Sequence, residues 1–322
     1  MTHMPFVSIC TPTFNRRPFI PHIIKCIEHQ LYPKDKIEWI IIDDGTDKIE
    51  DLVKHLPYVK YFTYDTKLTL GRKRNISHEK SIGDIIVYMD DDDYYPPERI
   101  SHAVQKLQEN PNILCAGSSE MYIYFKHIHK MYKFGPYAPN HATAASFAFK
   151  KELLLQTSYD EVACLAEEKH FLKNYTIPMV QLDSMKTILV FSHIHNSFDK
   201  KMLLNDAPNQ HVTESTKTPG DFMKNDCDHD ILKYFMEDID FVLDTYEPGN
   251  PTNKPDVLNQ MAVMKTKREA LMNQHTQQQH IQMIQDLMTE NASLKEKVTY
   301  LETKITEIIS KQIQERKHVI NK

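Results

Sequence analysis

Asp84-Ile85-Ile86-Val87-Tyr88-Met89-Asp90-Asp91-Asp92-Asp93 decides how the first half of this chain is read. Its apolar centre lacks polar alternation, which is the pattern of a strand covered on both faces. Four aspartates follow without a break. Two unit charges about 4 Å apart interact by roughly 4 kcal/mol at an effective dielectric near 20. A row of carboxylates at the tip of a buried strand therefore needs positive charge in the same space. A divalent cation is the simplest source, because hard cations take carboxylate oxygens. A solvated acidic turn is the plainer alternative.

Upstream, residues 6–10 form a short apolar run, and residues 18–29 read as a helix. A second strand spans residues 36–42, where Trp39-Ile40-Ile41-Ile42 is apolar on both faces. Asp43-Asp44-Gly45-Thr46 ends it as a turn, with a helix expected near Lys48. Residues 59–63 form a third strand and residues 72–80 a helix. Pro96-Pro97-Glu98 opens the helix after the aspartates, since proline is tolerated in a first turn. Strand alternating with helix four times predicts an α/β fold with a mostly parallel sheet and helices on both faces.

Beyond residue 112 the pattern changes. Residues 121–134 alternate aromatic and polar positions and read as an antiparallel excursion. Its aromatics, Tyr122, Tyr124, Phe125, Tyr132 and Phe134, with Tyr137 just beyond, suit core packing and an acceptor wall. Residues 167–175 and 222–246 read as helices and 187–192 as a strand. Glu247-Pro-Gly-Asn-Pro-Thr-Asn-Lys-Pro255 holds three prolines and a glycine in nine residues, and reads as a linker over 247–256. The expected domains are thus 1–246, the linker, and a helical region 257–322.

That last region carries heptads over 284–308. Ile284, Asn291, Val298 and Ile305 occupy position a; Leu287, Leu294, Leu301 and Ile308 occupy d. β-Branched residues at a with leucine at d favour a parallel two-stranded coil, and an asparagine at a fixes register. Glu290 faces Lys295 of a partner, and Lys297 faces Glu302, so both g–e pairs attract. A homodimer through this coiled coil is expected.

The composition sets limits. A chain of 322 residues with 41% hydrophobic content can bury a large core, and a net charge of −5 disfavours nucleic acid as a partner. Five scattered cysteines suit a reducing compartment. No stretch approaches the ~20 apolar residues of a membrane span, and no signal peptide is apparent. A cytoplasmic protein is expected. Low glycine with abundant lysine, isoleucine and asparagine fits an AT-rich genome such as a large virus carries, which would make that the host cytoplasm.

In open α/β sheets, ligands bind outside the carboxyl ends of the strands. Four segments fall there: Thr11-Pro12-Thr13-Phe14-Asn15-Arg16, Asp43-Asp44-Gly45-Thr46, Gly71-Arg72-Lys73-Arg74-Asn75, and Asp90 to Asp93. In this order and spacing they resemble the inverting family-2 glycosyltransferases of GT-A fold. The resemblance covers roughly residues 5–200, most specifically 5–100, and leaves out the C-terminal coil.

The resemblance implies sugar transfer from a nucleotide-sugar, with a UDP-sugar as the family's usual donor. The loop carrying Thr11, Pro12, Thr13, Asn15 and Arg16 would shelter the nucleoside. Asp43 or Asp44 would accept a hydrogen bond from the base. Arg74, with Arg72 and Lys73 nearby, would offset charge near the nucleotide. Asp90 and Asp92 form the D-x-D, with Asp92 on Mn²⁺ or Mg²⁺ and Asp90 on the ribose, and Asp91 stays in the set. A catalytic base is expected in Glu167-Glu168, where the family commonly has Glu-Asp; Glu168 is the first choice and Glu167 the second. His193-Ile-His195-Asn196 would complete the metal site through His193, which fits the spacing best, or His195. The acceptor is a glycan, protein or lipid. Two rivals are a catalytically inactive glycan-binding scaffold dimerised by its coil, and another Mg²⁺-dependent nucleotide-sugar enzyme. The second normally wants a glycine-rich phosphate loop, and the chain has only seven glycines.

Overall fold

The computed structural model describes residues 4–204 and 209–320. The chain divides into two compact units, one ending at Gln260 and one beginning at Met261.

The first unit is built on a seven-stranded sheet. In chain order its strands are β1 (Val7–Thr13), β2 (Ile37–Asp43), β3 (Val59–Thr63), β4 (Ile85–Tyr88), β5 (Cys115–Gly117), β8 (Ala148–Lys150) and β9 (Met179–Gln181). Their spatial order is β3-β2-β1-β4-β8-β5-β9. β1–β2, β2–β3, β1–β4 and β5–β9 are parallel; only β8, between β4 and β5, runs against its neighbours. The α/β architecture with a mostly parallel sheet is the one expected.

The apolar runs work as their pattern implies. Every residue of β2 and β4 is buried. Alternate residues serve different cores: Trp39, Ile41, Ile85 and Val87 face one, while Ile40, Ile42, Ile86 and Tyr88 face the other. Each such aliphatic side chain stabilises the fold by about 1.5–3 kcal/mol when fully buried. This two-sided burial fixes where the strands end, and so where the polar tips meet.

The connecting helices are α1 (Ile20–Glu28), α2 (Glu50–Val53), α3 (Leu70–Lys80) and α4 (Arg99–Glu109). Thr69 caps α3, its hydroxyl accepting from Arg72 N–H at 3.3 Å. Gly71 is required where it stands, because an added Cβ would lie 2.0 Å from the Asp160 carbonyl oxygen.

The expected antiparallel excursion is the hairpin β6 (Met121–Phe125) and β7 (Lys130–Phe134). With β10 (Leu189–Ser192) and β11 (Val212–Glu214) it makes a second sheet, β10-β6-β7-β11. Tyr122, Tyr124, Phe125 and Phe134 are buried in the core, and Tyr137 is exposed.

Three expected elements differ. The helix over 167–175 is a single turn, α5 (Glu168–Phe171), because Lys173, Asn174 and Tyr175 adopt left-handed backbone that ends it. The helix over 222–246 is broken into α6 (His229–Lys233) and α7 (Ile239–Asp244), joined by a wide π turn. The proline-rich segment read as a linker lies inside the first unit, where its two short 3₁₀ turns leave Gly249 and Lys254 buried.

The second unit is helical, carried by α8 (Pro255–Ile320). The heptad residues Ile284, Leu287, Leu294, Val298, Leu301, Ile305 and Ile308 all lie exposed on it. Among the described residues, no helix is long and apolar enough to cross a membrane.

Candidate active site

The parallel strands deliver β1, β2 and β4 to one edge with their polar ends together. Met89 carries the chain out of β4, and its carbonyl accepts from Thr11 Oγ1 at 2.6 Å. Trp39 Nε1–H donates to the same hydroxyl at 2.8 Å. Thr11 is thus a fully buried tie between β1, β2 and the acidic tip.

The acidic run meets positive charge supplied by the protein. Arg16 lies 3.3 Å from Asp92 and 3.7 Å from Asp91, and donates to the His195 carbonyl at 2.7 Å. Burial pushes the Asp91 carboxyl up to about 7, against the pull of Arg16. Burial also works against ionised Asp92, yet Arg16 and His193 hold it well below the ordinary carboxylate range. Asp93 is pushed well above that range by burial and by the charge of Asp92.

His193 Nε2 stands 3.4 Å from Asp92 Oδ2 and 2.8 Å from the Asn196 amide nitrogen. Asn196 Oδ1 accepts from His193 N–H at 2.8 Å, which fixes the loop. Burial lowers the His193 imidazole to about 4, so its ring is neutral and able to ligate. His195, also buried, turns its ring toward Gly249, where an added Cβ would lie 2.6 Å from its Nδ1. Of the two histidines, His193 is the one brought to Asp92.

A second chain of contacts starts at Arg74. It donates to Glu167 Oε1 at 2.9 Å, reaches Asp90 at 3.4 and 3.5 Å, and lies 4.4 Å over the Tyr88 ring. Glu167 is thereby tied to the acidic tip through a buried guanidinium. Glu168, at the start of α5, makes no such pair among the described residues; burial and the charge of Glu167 push it up to about 7. Ala166, just before the two, is held in left-handed backbone at φ 52°. Such a residue costs on the order of 1–3 kcal/mol and persists only where its surroundings over-determine it.

The remaining expected residues divide. Pro12, Phe14, Arg16, Lys73 and Asp90 to Asp92 line a cavity of about 150 Å³. Asp43 and Asp44 do not. Asp43 accepts from Gly45 N–H at 2.8 Å and from the Tyr61 hydroxyl at 2.5 Å. Asp44 accepts from Leu68 N–H at 2.5 Å and Lys73 Nζ at 2.8 Å. Asn15 Oδ1 accepts from Thr46 N–H and Asp47 N–H at 2.7 and 2.9 Å, so it shapes the turn after β2. Thr13 contributes its carbonyl, which accepts from Lys73 at 3.2 Å. Arg72 turns outward to pair with Glu161.

Among the cavity-lining residues that sequence reasoning passed over are Ser197 and Lys254. Lys254 lay hidden in a stretch dense in proline, which signals chain breaks and says nothing of packing.

The donor set suits a hard divalent cation. Asp92 and His193 offer a carboxylate oxygen and a neutral ring nitrogen close together, and the buried Asp91 Oδ2 and Asp93 Oδ1 lack hydrogen-bond partners. Among the described residues, the three possible ligands whose atoms lie within 4.8 Å of one another are elsewhere, at His29, Cys227 and Asp228.

The strand tips of the largely parallel sheet thus gather an acidic run, basic side chains and a carboxylate with a raised pKa. Residues 8–159 match the model of glycosyl transferase family 2. An uncharacterised glycosyltransferase of Haemophilus influenzae is 30% identical over 110 residues, 33% of this chain and 36% of that protein. The chain spans less than half the length of the curated relatives it matches. Among solved structures, S. aureus TarS 1–349 in complex with UDP aligns with TM-score 0.48 and 18% identity, over 59% of this chain and 61% of that one. The mannosyltransferase PcManGT from Pyrobaculum calidifontis, in complex with GDP-Man and Mn²⁺, aligns with TM-score 0.48 and 17% identity, over 77% and 74%.

Proposed function

We propose that the protein is a metal-dependent inverting glycosyltransferase that moves a sugar from a nucleotide-sugar, a UDP-sugar by the family's habit, to an acceptor hydroxyl. The observation that carries this reading is Asp92 standing 3.4 Å from the neutral ring of His193 at the tip of β4, beside the cavity lined by Pro12 and Phe14.

Asp92 and His193 would hold Mn²⁺ or Mg²⁺, with Asp90 and Asp91 beside them. When bound, the ion neutralises the diphosphate and stabilises it as a leaving group. Pro12 and Phe14 offer apolar surface to the nucleoside, while Lys73 and Arg16 bring positive charge to its phosphates. Glu168 is the base: its carboxylate takes the acceptor proton as the acceptor oxygen attacks the anomeric carbon. The bond from that carbon to the diphosphate breaks, and the electron pair leaves with the nucleoside diphosphate. Glu167 is the weaker candidate, since the Arg74 guanidinium already occupies it. Two chains join through the exposed heptad stripe of α8, each a/d row covering the other.

Thermal shift of the full chain with UDP, Mn²⁺ or both tests the reading. Ligand at one hundred times its Kd stabilises by about 2.7 kcal/mol. UDP with Mn²⁺ is expected to raise Tm more than either alone, and Asp92→Asn is expected to abolish the excess. Equal shifts with and without the metal, unaffected by Asp92→Asn, would refute it.

A further inference from the structure

Lys254 is buried in the cavity bounded by Asp90, Asp91 and Asp92. Its ammonium donates to the Ser197 hydroxyl at 2.7 Å and lies 6.0 Å from the Phe14 ring centre. Among the described residues it forms no ion pair, whereas the other cations around the cavity are matched: Arg16 with Asp92, Lys73 with Asp44 and Lys67 with Asp256. Asp91 and Asp92 attract it across the cavity without pairing, and a buried ammonium whose hydrogen bond goes to a neutral hydroxyl is costly unless an anion completes it.

The segment that brings Lys254 there is fastened at both ends. Asn15 Nδ2–H donates to the Pro248 carbonyl at 2.9 Å, and Gly249 packs so closely on His195 that no side chain fits. Beyond Lys254, Asp256 accepts from Lys67 at 2.5 Å, and Gln260 accepts from Cys164 N–H at 2.8 Å. The residual space of about 150 Å³ is smaller than the roughly 300–1,000 Å³ of small-molecule pockets. A nucleotide-sugar needs more room than this, and Lys254, Asp256 and Val257 form one wall of the space.

We propose that residues 247–257 form a strap that opens to admit the donor and closes over it, bringing Lys254 to its diphosphate. This rests on the nucleotide-sugar reading above and adds a phosphate-binding residue from outside the region matched by the family model, which ends at residue 159. The strap joins the nucleoside side of the cavity, through Asn15, to the metal side, through His195. Closure therefore couples recognition of the nucleoside to neutralisation of the phosphates.

Calorimetric titration of the full chain with UDP and with uridine, in Mn²⁺, tests this. A charge-assisted hydrogen bond to phosphate corresponds to a loss of roughly 10- to 100-fold in affinity. Lys254→Met keeps the stem against Phe14 and removes the charge. It is expected to weaken UDP by at least tenfold, with uridine unchanged within about twofold, and Lys254→Arg is expected to recover most of the loss. Hydrogen exchange in the wild type supplies a second readout, with amides of 247–257 expected to slow on adding UDP. Equal weakening of UDP and uridine, or UDP binding indifferent to Lys254→Met, overturns the assignment to phosphate. Unchanged exchange overturns the strap. A wild type that binds neither UDP nor GDP removes the underlying functional reading, a result distinct from both.

Discussion

Replacing Glu168 by glutamine should cripple the enzyme and at the same time stabilise it. The carboxyl is pushed from an ordinary 4.5 up to about 7 by burial and by Glu167. The folded chain thus keeps this proton to about pH 7, while the unfolded chain releases it near 4.5. Between those values the folded state binds more protons, so wild-type stability falls as pH rises through the window and is level above it. The full difference is worth about 3 kcal/mol, and solvent at the partly exposed side chain reduces it to about 2. Glutamine keeps the shape without the charge. At pH 8 Glu168→Gln should melt higher by about 4–8 °C, and near pH 4.5 the two proteins should melt together. For donor hydrolysis the sign reverses, because a positioned base supplies about 10²- to 10⁴-fold. Wild-type kcat should rise about tenfold per pH unit below pH 7 and flatten above, while the variant should be slow with no such limb. A variant that loses less than about threefold and keeps the limb, or that melts lower at pH 8, refutes the assignment of the base.

The neighbouring Glu167→Gln should behave in the opposite way. It leaves the buried Arg74 with only the longer contact to Asp90 at 3.4 Å, and losing one partner of a buried pair costs about 3–5 kcal/mol. It should lower Tm at pH 8 and move the activity limb to lower pH, because the charge that raises Glu168 is gone; an unchanged limb contradicts this. In the full chain, Leu294→Glu with Leu301→Glu should turn a sedimenting dimer into a monomer and leave the UDP thermal shift intact. A double variant that still sediments as a dimer, or a monomeric wild type, ends the coiled-coil proposal.

The first four strands were legible because burial on both faces removes ambiguity from runs such as Trp39 to Ile42. The three-residue strands β5, β8 and β9 were not, since Cys115-Ala-Gly117 and Ala148-Phe-Lys150 carry no period long enough to register and exist by virtue of their neighbours. The four site segments were found by position at strand ends, but sequence could not say which side chains the fold consumes. Asp43, Asp44 and Asn15 sit in the expected loops and spend their polar atoms on backbone turns and on Tyr61 and Lys73. Spacing favoured His193 over His195, and the turn made by Asn196 is what sets the His193 ring beside Asp92. Glu167 and Glu168 differ through one contact, the Arg74 guanidinium, which comes from a helix more than ninety positions earlier.

The acidic run was expected to require positive charge, and an inorganic ion is one way to supply it. The protein also supplies its own. Arg16 holds Asp91 and Asp92, and Arg74 is shared between Asp90 and Glu167, so part of the acidic charge is answered before any ligand arrives. This arrangement constrains how a metal could bind. An ion approaching Asp92 meets a guanidinium 3.3 Å away and must share or displace it, which is unfavourable while Arg16 has only the longer contact to Asp91 and the His195 carbonyl to fall back on. A diphosphate arriving with the ion changes the balance, because it offers Arg16 and the unpaired Lys254 a new anion. Metal and nucleotide should then each raise the other's affinity by the same factor, as linkage requires. The excess of the thermal shift with both present over the sum of the two single shifts is the measure of that factor, and it arises from the exchange of partners at Asp92.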